Sequence, residues 1–533
     1  MRLAPRGTEG TCSLLRLALR RDRILVPAWT SVLALAAVAS AQAVNGLYST
    51  LDSRVEAADA VNASAALVAM FGRIYDPTSL GAIAMVKMTA FGGAGVAMIA
   101  GMITVRHSRT EEETGRLELL GGAVVGRRAA LSAALGIAAI TSVLIGAVTA
   151  LGLVASGLPA SGSLAFGAAW AGAGLAFAGV GAVAAQLART SRGATGLTVG
   201  VLGLAYVMRG IGDTSAQLSW LSWLSPLGWV HSVRAFAGNR WPVLALLVGF
   251  AGVMALVAYA IAARRDFGAG VLADRPGPAR AQGWLGSTVG LAWRLERGAL
   301  IAWVIAFAIL GLVVGGVAGD VGSFLNTSSG QDVLRRLGGE KSLVDAYLAA
   351  ELGILGVVIA AYGVHAALRL RTEEDSRRAE EVLATGVTRV QWVGSFILVA
   401  AAGTVCLALA VGLSSGAARA VQTGQVSDLF DLLAGALVQL PAVWLVIAVV
   451  AAAYGIGSRA ALIGWGALVA FLLLGEIGPL LELPEWIIEL SPFAHVPKLP
   501  GTTLTVAPLV VLLGLAAALL LVGLAGFRRR DLA

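Results

Sequence analysis

Lysine is almost missing from this chain of 533 residues: Lys87, Lys341 and Lys498 are the only three. None stands in a GxxxxGK[ST] phosphate loop, so the chain has no site of that kind for a nucleoside triphosphate. Cysteine is just as scarce. Cys12 and Cys406 lie far apart, which gives neither a disulfide framework nor a metal spacing. The four histidines, His107, His231, His365 and His495, are dispersed and read as interfacial packing residues rather than ligands. No His-Glu zinc pattern, serine nucleophile elbow or carboxylate dyad occurs, so no catalytic, metal or cofactor site is expected and the chain is not read as an enzyme. Charge is thin as well: Asp, Glu, Lys and Arg make up 13% of the residues, against about 25% in a soluble globule.

What fills the space is hydrophobic sequence, at 58% of residues and a mean hydropathy of +0.83. About twelve apolar runs are long enough to cross a hydrocarbon core roughly 30 Å thick. They lie near 24–44, 80–105, 129–155, 164–187, 194–211, 242–263, 298–319, 349–368, 392–415, 429–453, 459–476 and 505–527. A helix satisfies its backbone hydrogen bonds internally, so the expected fold class is an all-α integral membrane bundle.

The net charge of +8 is a topology signal and does not imply a nucleic-acid partner. With the amino terminus in the cytoplasm, the segments on that side hold 28 of the 39 Lys and Arg. This positive-inside asymmetry predicts a multi-pass protein of the plasma (inner) membrane with both termini cytoplasmic.

The chain is duplicated. RTEEETGRLELLGGAVVGR runs from Arg109 to Arg127, and RTEEDSRRAEEVLATGVTR from Arg371 to Arg389, with eight of nineteen positions identical. Residues 20–29 echo 294–303. Ser191-Arg192 matches Ser458-Arg459, Leu224-Ser225-Pro226 matches Leu490-Ser491-Pro492, and Arg264-Arg265-Asp266 matches Arg529-Arg530-Asp531. The order and near-constant offset predict a six-helix half over 1–265, a Pro- and Gly-rich cytoplasmic linker over 266–290, and a second half over 291–533. An even number of spans per half relates the copies by an axis along the membrane normal. Each half begins with a short amphipathic stretch, Leu14 to Arg23 in the first, suited to the membrane interface.

Two matched polar segments in so apolar a chain point to a contact outside the membrane. The first reads as a short helix capped by Thr110 and Glu113. Glu111 and Glu112 sit in its favourable first turn, and Glu112 and Arg116 are spaced to pair four apart, as are Glu374 and Arg378. Leu117, Leu120 and Val124 form an apolar stripe, with Gly121-Gly122 as a stop. The second copy has a weaker cap, from Thr372 to Asp375, and a smaller apolar face of Ala379, Val382 and Leu383. A surface helix with both charge and Leu is suited to docking a partner protein.

Ionisable groups inside apolar runs are candidates for a substrate path, because a charge at mid-bilayer costs about 2.5–3.5 kcal/mol and usually faces a cavity. Lys87 and Glu476 qualify, with snorkelling to the interface as the bland alternative. Trp220, Trp223, Trp229, Trp241 and Trp486 lie among Pro and Gly in 217–241 and 480–501. These segments read as short re-entrant or interfacial helices on the outer side. The runs Gly92-Gly93-Ala94-Gly95 and Gly172-Ala173-Gly174 suit close helix packing.

Taken together, EEETGRLELL, EEDSRRAEEVL, the LALRRDR start, the Ser-Pro turns and the closing Arg-Arg-Arg-Asp resemble a fused, two-half permease of the ABC-2 class of exporters. Within that class the chain is most similar to the actinobacterial polyketide-antibiotic (tetronasin-type) exporter group. The resemblance implies that Thr110 to Leu120 and Thr372 to Leu383 are coupling helices docking two copies of a separate ABC ATPase, which would hold ATP and Mg. The docking residues it implies are Thr110, Glu111, Glu112, Glu113, Arg116, Leu117, Glu118 and Leu120 in the first copy. In the second they are Thr372, Glu373, Glu374, Asp375, Arg378, Glu380 and Val382. Leu14 to Arg23 would be a connecting helix. A hydrophobic antibiotic, drug or lipid would leave the cell past the outer Trp-rich segments, with membrane lipid as the surrounding partner. The alternative is a proton-driven secondary multidrug transporter, which needs buried carboxylates that these runs supply sparsely.

Overall fold

The computed structural model describes residues 7–48, 50–116, 125–214, 217–266, 268–272, 280, 282–324, 340–474 and 484–530. Every regular element among them is helical. Among the described residues, eleven helices are long and apolar enough to cross a membrane, and Ala460–Leu472 is a shorter apolar helix in the place of the eleventh apolar run. The chain divides into two compact units, Met1–Pro276 and Gly277–Ala533.

In the first unit, an amphipathic helix α1 (Thr11–Arg21) leads through Asp22 into the first span, α2 (Leu25–Leu47). Two short helices, α3 (Leu51–Ala63) and α4 (Ala65–Phe71), follow. Thr50 and Ser64 cap them by accepting the N–H groups of Ser53 and Leu67. The remaining spans are α5 (Leu80–Glu113), α6 (Ala129–Ala155), α7 (Ala160–Leu187) and α8 (Ser191–Thr214), and the last, α11, is Trp241–Arg264. Between these come α9 (Trp220–Trp223) and α10 (Pro226–Ser232), the latter started by Ser225 accepting from the Gly228 N–H.

Helix α7 is the axis of this unit, packing against α5, α6, α8 and α11. Its glycines make that position accessible. A Cβ on Gly146 or Gly167 would strike the carbonyl oxygen of the other, so α6 and α7 touch backbone to backbone. Gly92 accepts the ring of Trp170 and Gly174 the hydroxyl of Ser142. The Gly-rich runs are therefore packing surfaces, as small residues in membrane helices commonly are.

The second unit repeats the plan with α12 (Thr288–Phe324), α13 (Glu340–Ala367), α14 (Arg369–Asp375) and α15 (Arg378–Leu383). Then come α16 (Arg389–Thr423), α17 (Ser427–Leu437), α18 (Leu440–Ile456), α19 (Ile463–Leu472), α20 (Glu485–Ile488) and α21 (Val506–Arg529). Here the amphipathic stretch and the first span form one unbroken helix, α12, where the first unit has a turn at Asp22. The fourth span of each unit is its most enclosed: 78% of the apolar window of α7 is buried, and 72% of that over Ser427–Ile456. The sixth spans, α11 and α21, are peripheral, at 11% and 17%.

Candidate functional site

The first charged segment is the continuation of a span. Helix α5 runs through wide turns at Met88–Gly92 and Arg106–Thr110 and ends at Glu113. Thr110 is helical and makes no capping bond, and the Glu113 carboxylate instead accepts the Ser191 N–H at 2.8 Å, at the start of α8. The expected capping box is thus replaced by a tie between two spans.

Glu112 is buried, and its partner is not Arg116. Arg265, just past the end of α11, donates Nη1 to Oε1 and Nη2 to Oε2, both at 2.7 Å. The Gly268 N–H adds a third bond at 2.6 Å, and Arg109 Nη1 lies 3.2 Å from Oε2. Arg109 is itself fully buried and donates Nε to the Ala185 carbonyl at 2.7 Å. Arg265 also donates Nε to Gln186 at 2.7 Å. One knot therefore joins the ends of α5, α7 and α11. Charged hydrogen bonds with both oxygens occupied are the strong kind. Arg127, the last residue of the repeated segment, donates to the Arg265 carbonyl at 2.7 Å.

The second unit builds the same lock. Glu374, buried in α14, takes two bonds from Arg530 Nη2, both 2.6 Å, and not one from Arg378. Arg389 donates Nη1 to the carbonyls of Phe527, Arg528 and Arg530 at 3.3, 3.2 and 2.6 Å. Arg389 thus satisfies orphan carbonyls at the end of α21, where a cation also complements the helix dipole. Where Gln186 holds Arg265 in the first unit, the rings of Tyr454 and Phe527 face Arg530 at 5.0 and 5.3 Å.

Two of the neighbouring pairs recur at matching positions, Asp22–His107 with Glu296–Arg369 and Glu111–Arg116 with Glu373–Arg378. Asp22 pairs with His107 at 2.6 Å and Arg106 at 3.1 Å. Glu296, its counterpart in the echoed stretch, lies 4.0 Å from Arg369, the counterpart of His107. Glu111 bonds Arg21 and lies 3.5 Å from Arg116. Glu373 sits 2.9 Å from Arg369 and 3.8 Å from Arg378. Thr372 is mid-helix, with its hydroxyl on the Leu368 carbonyl at 3.4 Å, and Asp375 pairs with Arg371 at 3.1 Å. The weaker cap expected there is not formed.

The segments keep an outward face. In the first, Glu113, Thr114 and Arg116 are exposed and Thr110 and Glu111 half-buried. In the second, Thr372, Asp375, Arg378, Glu380 and Glu381 are exposed. Ala379 is buried, and Val382 and Leu383 pack on the unit's core. Leu117, Glu118, Leu120, Gly121, Gly122 and Val124 lie outside the described residues. Open grooves flank both: one of about 410 Å³ beside Glu112, Arg127 and Arg265, another of about 450 Å³ beside Arg371, Thr372 and Asp375.

The candidate path residues are not brought together. Lys87 is exposed on its helix, its Nζ 5.2 Å from the Phe71 ring centroid. Glu476 lies outside the described residues. Trp220, Trp223 and Trp486 are exposed, and Trp229 donates Nε1 to the Trp223 carbonyl at 2.7 Å. Both Trp-bearing segments contain short helices, α9 and α10 in one and α20 in the other. Sequence reasoning missed Arg209, a fully buried arginine within the fifth apolar run, although a charge in such a run was the signal sought. It noted Arg265 and Arg530 only as repeat markers.

A family profile described as "Multidrug efflux system permease Rv1217c, C-terminal domain" matches residues 13–263 and 285–528, one stretch in each half. The chain is also similar to the multidrug efflux system permease protein Rv1217c of Mycobacterium tuberculosis (strain ATCC 25618 / H37Rv). Over 528 residues the two are 41% identical, covering 98% of this chain and 96% of that one.

Proposed function

This chain belongs to the multidrug efflux system permease family, and from that premise we propose that it is the membrane subunit of an ATP-driven, ABC-type exporter. The ATPase, with its ATP and Mg, is on a separate chain. Two copies dock, one on the end of α5 with the segment that follows, one on α14 and α15. The cargo is a hydrophobic drug, antibiotic or lipid, leaving across the plasma membrane from a protein with both termini in the cytoplasm. The tetronasin-type exporter group is the closest description of this proposed function.

The observation that carries the reading is the pair of locks, Glu112–Arg265 and Glu374–Arg530. A docking segment does work only if its displacement reaches the spans. Each buried carboxylate ties its segment to the far end of its own unit's sixth span, the least buried of that unit's long apolar helices. The roles then divide by exposure. Glu113, Arg116, Asp375, Arg378 and Glu380 meet the ATPase, while Glu112 and Glu374 transmit its movement.

The test is purification of the full chain from its native membrane in mild detergent. A stoichiometric ABC ATPase should accompany it and be lost in the double variant Arg116→Glu with Arg378→Glu. Glu112→Gln with Glu374→Gln should keep the ATPase bound and abolish its stimulation by drug. An ATPase-free protein that binds drug in a pH-dependent manner would overturn the reading in favour of proton-driven transport.

A further inference from the structure

At the end of the first unit opposite the charged segment, polar groups gather with too few partners. Arg209, on α8, is fully buried. Its Nη2 donates to the Met70 carbonyl at 3.0 Å, and its Cζ lies 4.5 Å from the Tyr206 ring centroid. Asp213 Oδ2 is 3.8 Å from Nη1, beyond hydrogen-bond reach, and neither Nε nor Nη1 has a hydrogen-bond partner. Asp213 Oδ1 accepts from Ser222 Oγ at 2.7 Å, its Oδ2 has no hydrogen-bond partner, and its carbonyl takes Arg73 Nε at 2.9 Å. Arg234 rests over the Tyr75 ring at 4.1 Å, and its Nε is also without a partner. His231 is 6% exposed with an unpartnered Nε2.

Beside them lies a cavity of about 30 Å³, whose polar lining is Arg73, Tyr75, Thr89, His231 and Arg234. Met85, Val86 and Val230 contribute apolar wall. Three guanidinium groups, counting Arg209 outside the lining, stand against a single carboxylate, Asp213, whose Oδ1 is bonded to Ser222 and whose Oδ2 is 3.8 Å from Arg209. Buried N–H groups without acceptors are costly, and a cluster of them beside a cavity calls for an occupant. A water needs roughly 10–15 Å³ of such space. The cavity therefore admits one halide ion or one carboxylate group, and not a whole drug.

We propose that this cavity binds a small anionic group, halide or carboxylate, held by Arg73, Arg234 and the His231 N–H, with Arg209 supplying charge from outside the lining. Arg234 closes one side under a strained backbone (φ 51°), a conformation that persists where the surroundings over-determine it. The site is independent of ATPase docking. It gives the first unit an anion-sensing or anion-selecting end that uses none of the duplicated residues.

The experiment uses the full chain in neutral detergent with sodium HEPES as the background salt, its anion being too large for the cavity. Chloride, acetate and dodecanoate are titrated separately, with dodecanol as the uncharged control, and melting temperature is read. A ligand that binds the native state alone raises it saturably. Arg234→Gln should weaken the apparent affinity on the order of tenfold or more, and Arg234→Lys should keep most of it. A response to chloride alone identifies a free inorganic ion. A response to acetate and dodecanoate, and not to chloride or dodecanol, identifies the carboxylate of an amphiphile. Melting that follows ionic strength regardless of anion, or anion responses unchanged in both Arg234→Gln and Arg73→Gln, would overturn the proposal. If the variants do not fold, calorimetric titrations of the wild type with bromide and with acetate decide: no saturable site for either ends the idea.

Discussion

Glu112 takes a guanidinium hydrogen bond from Arg265 on each carboxylate oxygen, although the two residues are 153 positions apart. A partner this remote turns a charged loop residue into a fastener between the second and sixth spans. Its twin, Glu374–Arg530, spans 156 positions. The two units thus keep the same ion pair while differing in what surrounds it.

Removing one member of either pair should be far more damaging than removing an outward charge. Arg265→Gln leaves the buried Glu112 carboxylate with only the Gly268 N–H and Arg109, a loss approaching the roughly 3–5 kcal/mol of a broken buried pair. Arg116, 55% exposed beside Glu111, should tolerate alanine with little change in melting temperature, as exposed pairs do. The double variant Glu112→Gln with Arg265→Gln should recover part of the single-variant loss, the signature of direct coupling. A neutral Arg265→Gln in detergent melting would refute the lock.

Arg127→Ala and Arg389→Ala should loosen the ends of α11 and α21 without unfolding the bundle. Each guanidinium holds carbonyls that have no helical partner of their own. Amide exchange should accelerate in the last turns of the sixth spans, and more after Arg389→Ala, since Arg389 serves three carbonyls to the one of Arg127. Unchanged exchange there would mean water replaces the arginine without cost.

A side chain at the α6–α7 crossing should not be accommodated. Gly167→Val places methyl groups against the Gly146 carbonyl, and overpacking of this kind costs about 1–3 kcal/mol or more. Gly196→Ala, which would meet nothing within 4 Å, should be neutral or slightly stabilising. Monodisperse yield on size exclusion distinguishes them, and equal yields would argue against backbone contact.

His231 sets a pH dependence of stability. It lies in α10, outside the spanning helices. Burial, with the Arg209 charge second, pushes its pKa well below the 6.5 ordinary for an imidazole. The unfolded chain therefore binds a proton near pH 6.5 that the folded protein refuses, so stability is full above that pH and declines as pH falls through it. Melting temperature measured from pH 8 to pH 5 should show this decline, and His231→Gln should flatten it. A wild-type profile as flat as the variant's would remove His231 from the account.

Much of the architecture was legible. The spans, the closeness of the Gly-rich runs and the duplication all come from local composition and repetition. Helical spacing also nominated pairs, Glu112 with Arg116 and Glu374 with Arg378, and there it failed. Periodicity registers only neighbours three or four apart, whereas the actual partners arrive from the end of another span. The capping box at Thr110 failed for a related reason: α5 does not stop at the membrane edge, so the segment has no free amino end to cap. Arg265 and Arg530 were visible as repeat markers, but nothing local says that an arginine beyond a span folds back onto a carboxylate.

The sequence by itself determined that this protein is a duplicated helical membrane protein, because apolar length and repeated motifs are properties of short stretches. Tertiary structure alone decided which charges face outward and which are consumed inside. Burial and pairing depend on how α5, α7 and α11 converge, and a buried carboxylate must take whichever guanidinium that convergence delivers.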